Sequence, residues 1–332
     1  NDWKKLNNTT LSKDGNFVSY TINPYKGDGW LYIYNKKKNT LDSIHRGYNP
    51  TFSDNNTFVT FLITAGYDTL RNCELNKVKK DEWPKDTLAI YILEKDSLIK
   101  IPNVKSFKVA EKSDWVHYVL NDNKLKSEEP IKDTTAIDST VVTSPEKAPE
   151  KWWKFSFLKK KPVVEITEKK EKKKKPESDG KLYFALNPMT SKEISYKDIT
   201  EFYPSLNGKY VALISHKKED KKSTYQLKVI DPLTNKIELK TKEKTAINAI
   251  TFSFNETAIA FLSSNDTTKT KQFELNYGII KNGKSTVILD TASTLLNSKL
   301  GVSENRKLSF SFNDNELFFG VSDRVKQAPK DS

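Results

Sequence analysis

Apolar and polar residues alternate in short runs that recur along the chain, each run introduced by a polar turn. The first occupies residues 11–22, where Leu11-Ser12-Lys13-Asp14-Gly15-Asn16 leads into Phe17-Val18-Ser19-Tyr20-Thr21-Ile22. Close copies occupy residues 52–63, 109–120, 204–215, 252–263 and 310–321. Aligned together, they place Val18, Val59, Val116, Val211, Ile259 and Leu317 at one position. Two residues on stand Tyr20, Phe61, Tyr118, Leu213, Phe261 and Phe319. A spacing of two marks a strand with one buried face, so Val18 and Tyr20 are expected to form that face in the first copy.

Four residues before each anchor stands Asp14, Asn55, Asn207, Asn255 or Asn313, with Lys112 in the third copy. Such side chains bond to nearby backbone and tolerate left-handed φ, which predicts that they turn the chain. Six before the anchor is Ser12, Ser53, Ser205, Ser253 or Ser311, with Ala110 in the third copy. Turn chemistry accounts for these serines without catalysis.

Second strands follow the first four anchors at residues 31–34, 88–91, 182–185 and 227–230, and shorter third strands such as residues 41–44 and 97–101 come next. Residues 273–289 fit the pattern more loosely. Strand units repeated at this interval are the sequence form of β-propeller blades, each of which buries its faces only against its neighbours. The predicted class is all-β: an incomplete propeller of about five to six blades with a long low-complexity insertion. Residues 1–120 hold the first blades and residues 181–332 continue them. The few residues after Val321, which include Pro329, are too few to finish a blade, so the ring is expected to stay open.

The interval from Val116 to Val211 is much longer than the others. Across residues 121–180 Lys, Glu, Pro, Ser and Thr replace the strand pattern, a composition that buries too little apolar surface to order itself. Within it lies Lys151-Trp152-Trp153-Lys154-Phe155-Ser156-Phe157-Leu158, followed by Lys159, Lys160 and Lys161. Two readings stay open for these aromatics. One is a docking segment across residues 151–175 for an envelope protein or a membrane surface; the other is packing against the propeller flank.

That segment also accounts for most of the charge. The whole chain carries +13, while residues 151–175 hold 11 Lys and 3 Glu. A basic groove on the folded part, and with it nucleic acid as a partner, is therefore not expected. Cys73 is the only cysteine and the histidines are His45, His117 and His216, so neither a disulfide nor a metal cluster is expected. No cofactor is called for, because glycines are too scattered for a phosphate loop. No apolar run is long enough to span a bilayer. The chain does not open on Met, which fits a processed product whose export signal has been removed.

Serine acyl transfer calls for Gly-x-Ser-x-Gly. Gly301-Val302-Ser303-Glu304-Asn305 and Gly320-Val321-Ser322-Asp323-Arg324 each lack the second glycine. His117 lies on the strand face opposite Val116 and Tyr118, a surface or blade-interface position. His45 and His216 have no partner visible in the sequence. No catalytic, cofactor-binding or metal-binding residue is assigned.

Several stretches, in order, resemble one family. Trp3 with Leu11-Ser12-Lys13-Asp14-Gly15-Asn16-Phe17-Val18-Ser19-Tyr20 and Gly27-Asp28-Gly29-Trp30-Leu31 is similar to the start of the N-terminal propeller of exported Bacteroidetes peptidases of the prolyl oligopeptidase family. Pro84-Lys85-Asp86-Thr87-Leu88-Ala89-Ile90 and Ile101-Pro102-Asn103-Val104-Lys105-Ser106-Phe107-Lys108 fit as well. So do the Lys/Glu-rich insertion before Leu182-Tyr183 and the closing Leu317-Phe318-Phe319-Gly320-Val321. The resemblance implies a periplasmic or outer-membrane-associated serine peptidase. In it a propeller gates peptide access to a C-terminal α/β-hydrolase domain that these residues do not include. The alternative is a non-enzymatic propeller of the TolB type, docking in a cell-envelope complex.

Overall fold

The computed structural model describes residues 3–121, 178–219, 222–268 and 270–324. Its first sheet is a four-stranded antiparallel blade of β1 (Lys4–Leu11), β2 (Phe17–Pro24), β3 (Trp30–Asn35) and β4 (Thr40–His45). The second blade has β5 (Gly47–Phe52), β6 (Phe58–Ile63), β7 (Thr87–Ile92) and β8 (Ser97–Ile101), with helix α1 (Tyr67–Leu75) between β6 and β7.

The third and fourth blades share a seven-stranded sheet. It comprises β9 (Val104–Val109), β10 (Val116–Leu120), β11 (Lys181–Asn187), β12 (Lys192–Pro204), β13 (Val211–Glu219), β14 (Lys222–Asp231) and β15 (Lys236–Lys240). The long strand β12 serves both: residues 192–199 pair with β11, and residues 199–204 pair with β13. The fifth blade is β16 (Ala246–Phe252), β17 (Ala258–Ser264), β18 (Glu274–Ile279) and β19 (Lys284–Leu289). A smaller sixth unit follows, in which β20 (Leu300–Val302) pairs with β23 (Val321–Asp323) and β21 (Ser309–Phe310) pairs with β22 (Leu317–Phe318). This is β-propeller architecture. Among the described residues no strand pairing joins the sixth unit to the first blade, so the ring is not closed.

Apolar side chains on both faces of the inner blades stitch them together. On β13, Val211 and Leu213 pack towards the third blade with Tyr183, while Ala212 and Ile214 pack towards the fifth with Ile259 and Phe261. Alternation thus sorts residues between two buried faces rather than between core and water.

The first blade departs from the expectation for Val18 and Tyr20. Leu31 and Ile33 of β3 pack on Val59 and Phe61, and the β2 residues opposite them are Thr21 and Ser19, both fully buried. Val18 and Tyr20 are on the other face, half-buried, with Tyr20 stacked on Tyr32 at 5.2 Å. The inward positions of this strand are filled by small hydroxyl residues, which hydropathy does not mark as core.

The turns repeat in atomic detail. Ser12, Ser53, Ser205 and Ser253 are each 2% exposed. Their hydroxyls accept the N–H five residues on, from Phe17, Phe58, Tyr210 and Ala258. Ser311 does the same for Glu316. The left-handed residue, however, is not Asp14 or the asparagines aligned with it. It is the next one: Gly15, Asn56, Gly208, Glu256 or Asp314, with φ between +54° and +68°. Asp14, Asn255 and Asn313 instead accept the N–H two residues on and the serine hydroxyl, holding the turn by their side chains.

Candidate functional site

The docking segment expected around Trp152, Trp153, Phe155, Phe157, Lys159, Lys160 and Lys161 lies outside the described residues. The structure does describe both roots of the insertion. At its start, Asn121 donates its backbone and side-chain N–H to Asn103 O. At its return, Ser178 Oγ donates to His216 O at 2.9 Å, and the Asp179 N–H donates to His216 Nδ1 at 2.9 Å. His216 is therefore not partnerless: its partner stands 37 residues away in sequence, where no local pattern could reveal it. Because Nδ1 accepts, the hydrogen of the neutral ring is on Nε2. That atom is buried and has no partner among the described residues.

Beside this anchor is a cavity of about 250 Å³ between the third and fourth blades. The pairing of β13 with β14 sets one wall. Leu213 opposes Lys228, Ser215 opposes Gln226 and Lys217 opposes Thr224, all on the face that buries Leu213 towards the third blade. Lys197 and Asp198 of β12, the strand on the other side of β13, and Glu243 also line it. Lys217 is held by Glu219 at 2.7 Å. Lys228 is half-buried, and burial followed by the charge of Lys240 lowers its affinity for a proton. Lys240 stands directly across from it on β15. No local sequence pattern marks this cavity, because its lysines lie on separate strands.

The other two histidines and three of the tyrosines have structural partners. His117 is fully buried between the third and fourth blades, with Nδ1 2.7 Å from the Tyr183 hydroxyl. Burial, then nearby Lys108, pushes the pKa of His117 down to about 3, so the ring is neutral. His45 Nε2 lies 3.5 Å from Asp28, and its ring packs on Trp30 at 4.8 Å. No described histidine ring is hydrogen-bonded to a serine or cysteine. Tyr48, Tyr91 and Tyr118 donate to Asp86, Asp42 and Glu193. Burial and those carboxylates raise all three phenols, which stay protonated donors. Among the described residues no group of three His, Cys, Asp or Glu could hold a metal ion. No described helix is long and apolar enough to cross a membrane.

No family model matches the sequence, and no curated protein does. Solved structures are similar in fold. The β-propeller domain of the Trilobed protease from Pyrococcus furiosus is 13% identical, with a TM-score of 0.41 over 97% of this chain and 78% of that one. Porphyromonas gingivalis dipeptidyl peptidase 4 is 12% identical, with a TM-score of 0.42 over 92% of this chain. The chain spans only 41% of that peptidase's length. Kuenenia stuttgartiensis hydrazine synthase is 8% identical, with a TM-score of 0.39 over 94% of this chain and 72% of that one. At these identities and scores the likeness is one of fold and says nothing about activity.

Proposed function

We propose that this chain is the non-catalytic propeller of a prolyl oligopeptidase-like serine peptidase, gating peptide access to a hydrolase domain outside these residues. The observation that carries the proposal is where the family-like stretches fall. The first forms the β1–β2 turn and strand, and Gly27-Asp28-Gly29-Trp30-Leu31 enters β3. Pro84-Lys85-Asp86-Thr87-Leu88-Ala89-Ile90 enters β7, and Ile101-Pro102-Asn103-Val104-Lys105-Ser106-Phe107-Lys108 joins β8 to β9. The first marks the opening turn of the first blade, the last crosses from the second blade to the third, and the two between them enter the third strand of their blades; a resemblance placed on these architectural positions is what supports the reading. Export to the periplasm and a peptide substrate belong to the same proposal.

Two measurements test it. A fluorophosphonate probe applied to residues 1–332 should label no serine, whereas in the full-length protein it should label one serine beyond Ser332. That serine should sit in Gly-x-Ser-x-Gly, with Asp and His following in that order. Stoichiometric labelling inside residues 1–332 would overturn the proposal. So would a full-length protein without such a motif, and that result would favour the TolB-type docking role. Gating is tested separately, by comparing the full-length protein's cleavage of short peptides with its cleavage of the same sequences inside a folded protein. Equal rates would remove it.

A further inference from the structure

We propose that the cavity between the third and fourth blades binds a small carboxylate, and this inference does not depend on the peptidase reading. Lys228 and Lys240 face each other directly across β14 and β15. Like charges in that arrangement destabilise a sheet unless something offsets them. Among the described residues no carboxylate lies within ion-pairing distance of Lys197, Lys228 or Lys240. Lys217, by contrast, is already paired with Glu219. Lys228 is also half-buried, which makes an unpaired ammonium there more costly than at the surface. Asp198 lies close enough to favour its charged form, but burial outweighs that influence.

The cavity is thus walled by unpaired amines on two strands, Lys197 and Lys228. Ser215, Thr224 and Gln226 also line it; the Ser215 hydroxyl donates to Gln226 O and the Gln226 side chain to Thr241 O, which leaves the amines and the Thr224 hydroxyl as donors for a ligand. Two acids on its margin, Asp198 and Glu243, cancel part of the positive charge. Set against Lys197, Lys228 and the Lys240 that faces Lys228, they leave a surplus of one positive charge, which suits a monoanion better than a dianion such as phosphate. At about 250 Å³ the space lies below the ~300–1,000 Å³ of drug-sized sites, so the ligand is small. A carboxylate presents two acceptor oxygens, each able to take a charge-assisted hydrogen bond from an ammonium.

The probe is N-acetyl-glycyl-glycine with its free carboxylate, titrated by calorimetry into the 332-residue chain, with its C-terminal amide and inorganic phosphate as comparisons. The expected result is saturable binding of the acid, no binding of the amide and weaker binding of phosphate. Lys228→Met and Lys197→Met, two substitutions on different strands, should each weaken the acid at least tenfold. Raised salt should weaken it as well. Lys228→Met should in addition raise the urea midpoint without ligand, by removing the repulsion with Lys240, and should abolish the shift of that midpoint by the acid. No saturable binding of the acid up to ~10 mM, a dissociation constant worth only about 3 kcal/mol, overturns the proposal. Equal binding of acid and amide also overturns it, as does unchanged binding in both variants. Tighter binding of phosphate overturns the choice of carboxylate.

Discussion

At the scale of single residues, the most informative side chain is His117. It is fully buried, bonded at Nδ1 to the Tyr183 hydroxyl, and its Nε2 has no partner among the described residues. Desolvation disfavours the imidazolium, and Lys108 adds repulsion, which together bring the pKa to about 3. In the unfolded chain it titrates near 6.5. Between those values the unfolded chain binds more protons, so stability is full above about pH 7 and falls as pH drops towards 3. At pH 5 the loss from this residue is on the order of 2 kcal/mol. Urea midpoints measured from pH 7.5 to 5 should therefore fall less steeply in His117→Gln than in the parent chain, and identical slopes would show that the ring is not held neutral. The turn serines make a second case. Ser253 is buried and accepts from the Ala258 N–H, whereas Ser311, in the equivalent turn, is partly exposed. Ser253→Ala strands a buried donor and should cost about 1–3 kcal/mol, and Ser311→Ala less, because water reaches its turn. Equal losses in chemical denaturation would mean that the hydroxyls do not satisfy the turn.

At the scale of elements, the turns connect the blades as well as their own strands. Lys13 N donates to Asn56 Oδ1, Thr57 Oγ1 to Asp114, Lys112 N to Leu206 O, Asn207 N to Glu256 Oε1, and Phe254 N and Asn255 N to Asp314. Each turn is thereby bonded to the turn of the next blade. Two left-handed glycines separate turn conformation from this packing. Gly15 and Gly208 both have φ of +68°, but a Cβ on Gly15 meets nothing within 4 Å, while one on Gly208 would come 2.1 Å from Ser113 Oγ. Gly15→Ala should cost about 1 kcal/mol, the conformational part alone. Gly208→Ala should cost clearly more, because the third and fourth blades must also separate there; similar losses in urea unfolding would show that the turns do not press on each other. The anchor strands, the second strands and the turn serines were legible in the sequence because local alternation and turn chemistry specify them. The first strand of each blade was not. β1, β5 and β16 are interrupted by register shifts beside Asn8, Asn49 and Ala249, each with φ of +51°, and a bulge breaks the period of two. Helix α1 buries none of its residues, so it has no apolar stripe to announce it. The cavity and the His216 anchor depend on pairings between distant strands, which alternation within one segment does not encode.

At the scale of the molecule, the blades form a linear array. Clusters of buried side chains join the first to the second blade, the second to the third, the third to the fourth, the fourth to the fifth and the fifth to the sixth unit. Among the described residues each inner blade therefore has two packed interfaces, whereas the first has one. Its other face carries Val18, Tyr20, Tyr32 and Tyr34, all half-buried, together with Trp30 at 40% exposure. Among the described residues the sixth unit has only two-stranded pairings, with Phe312 at 87% and Phe318 at 54% exposure. In a stacked array stability is the sum of each unit's own contribution and those of its interfaces, so the ends should open at lower free energy than the middle. Hydrogen exchange followed by mass spectrometry on the 332-residue chain should show slow exchange in β6, β7, β10 and β13, and faster exchange in β2, β3, β21 and β22. A single exchange rate for all blades, set by global unfolding, would mean that the array behaves as one cooperative unit. If the first and last blades are instead as protected as the inner ones, their outward faces are covered in solution, and the open-ended arrangement is not the state the chain adopts there.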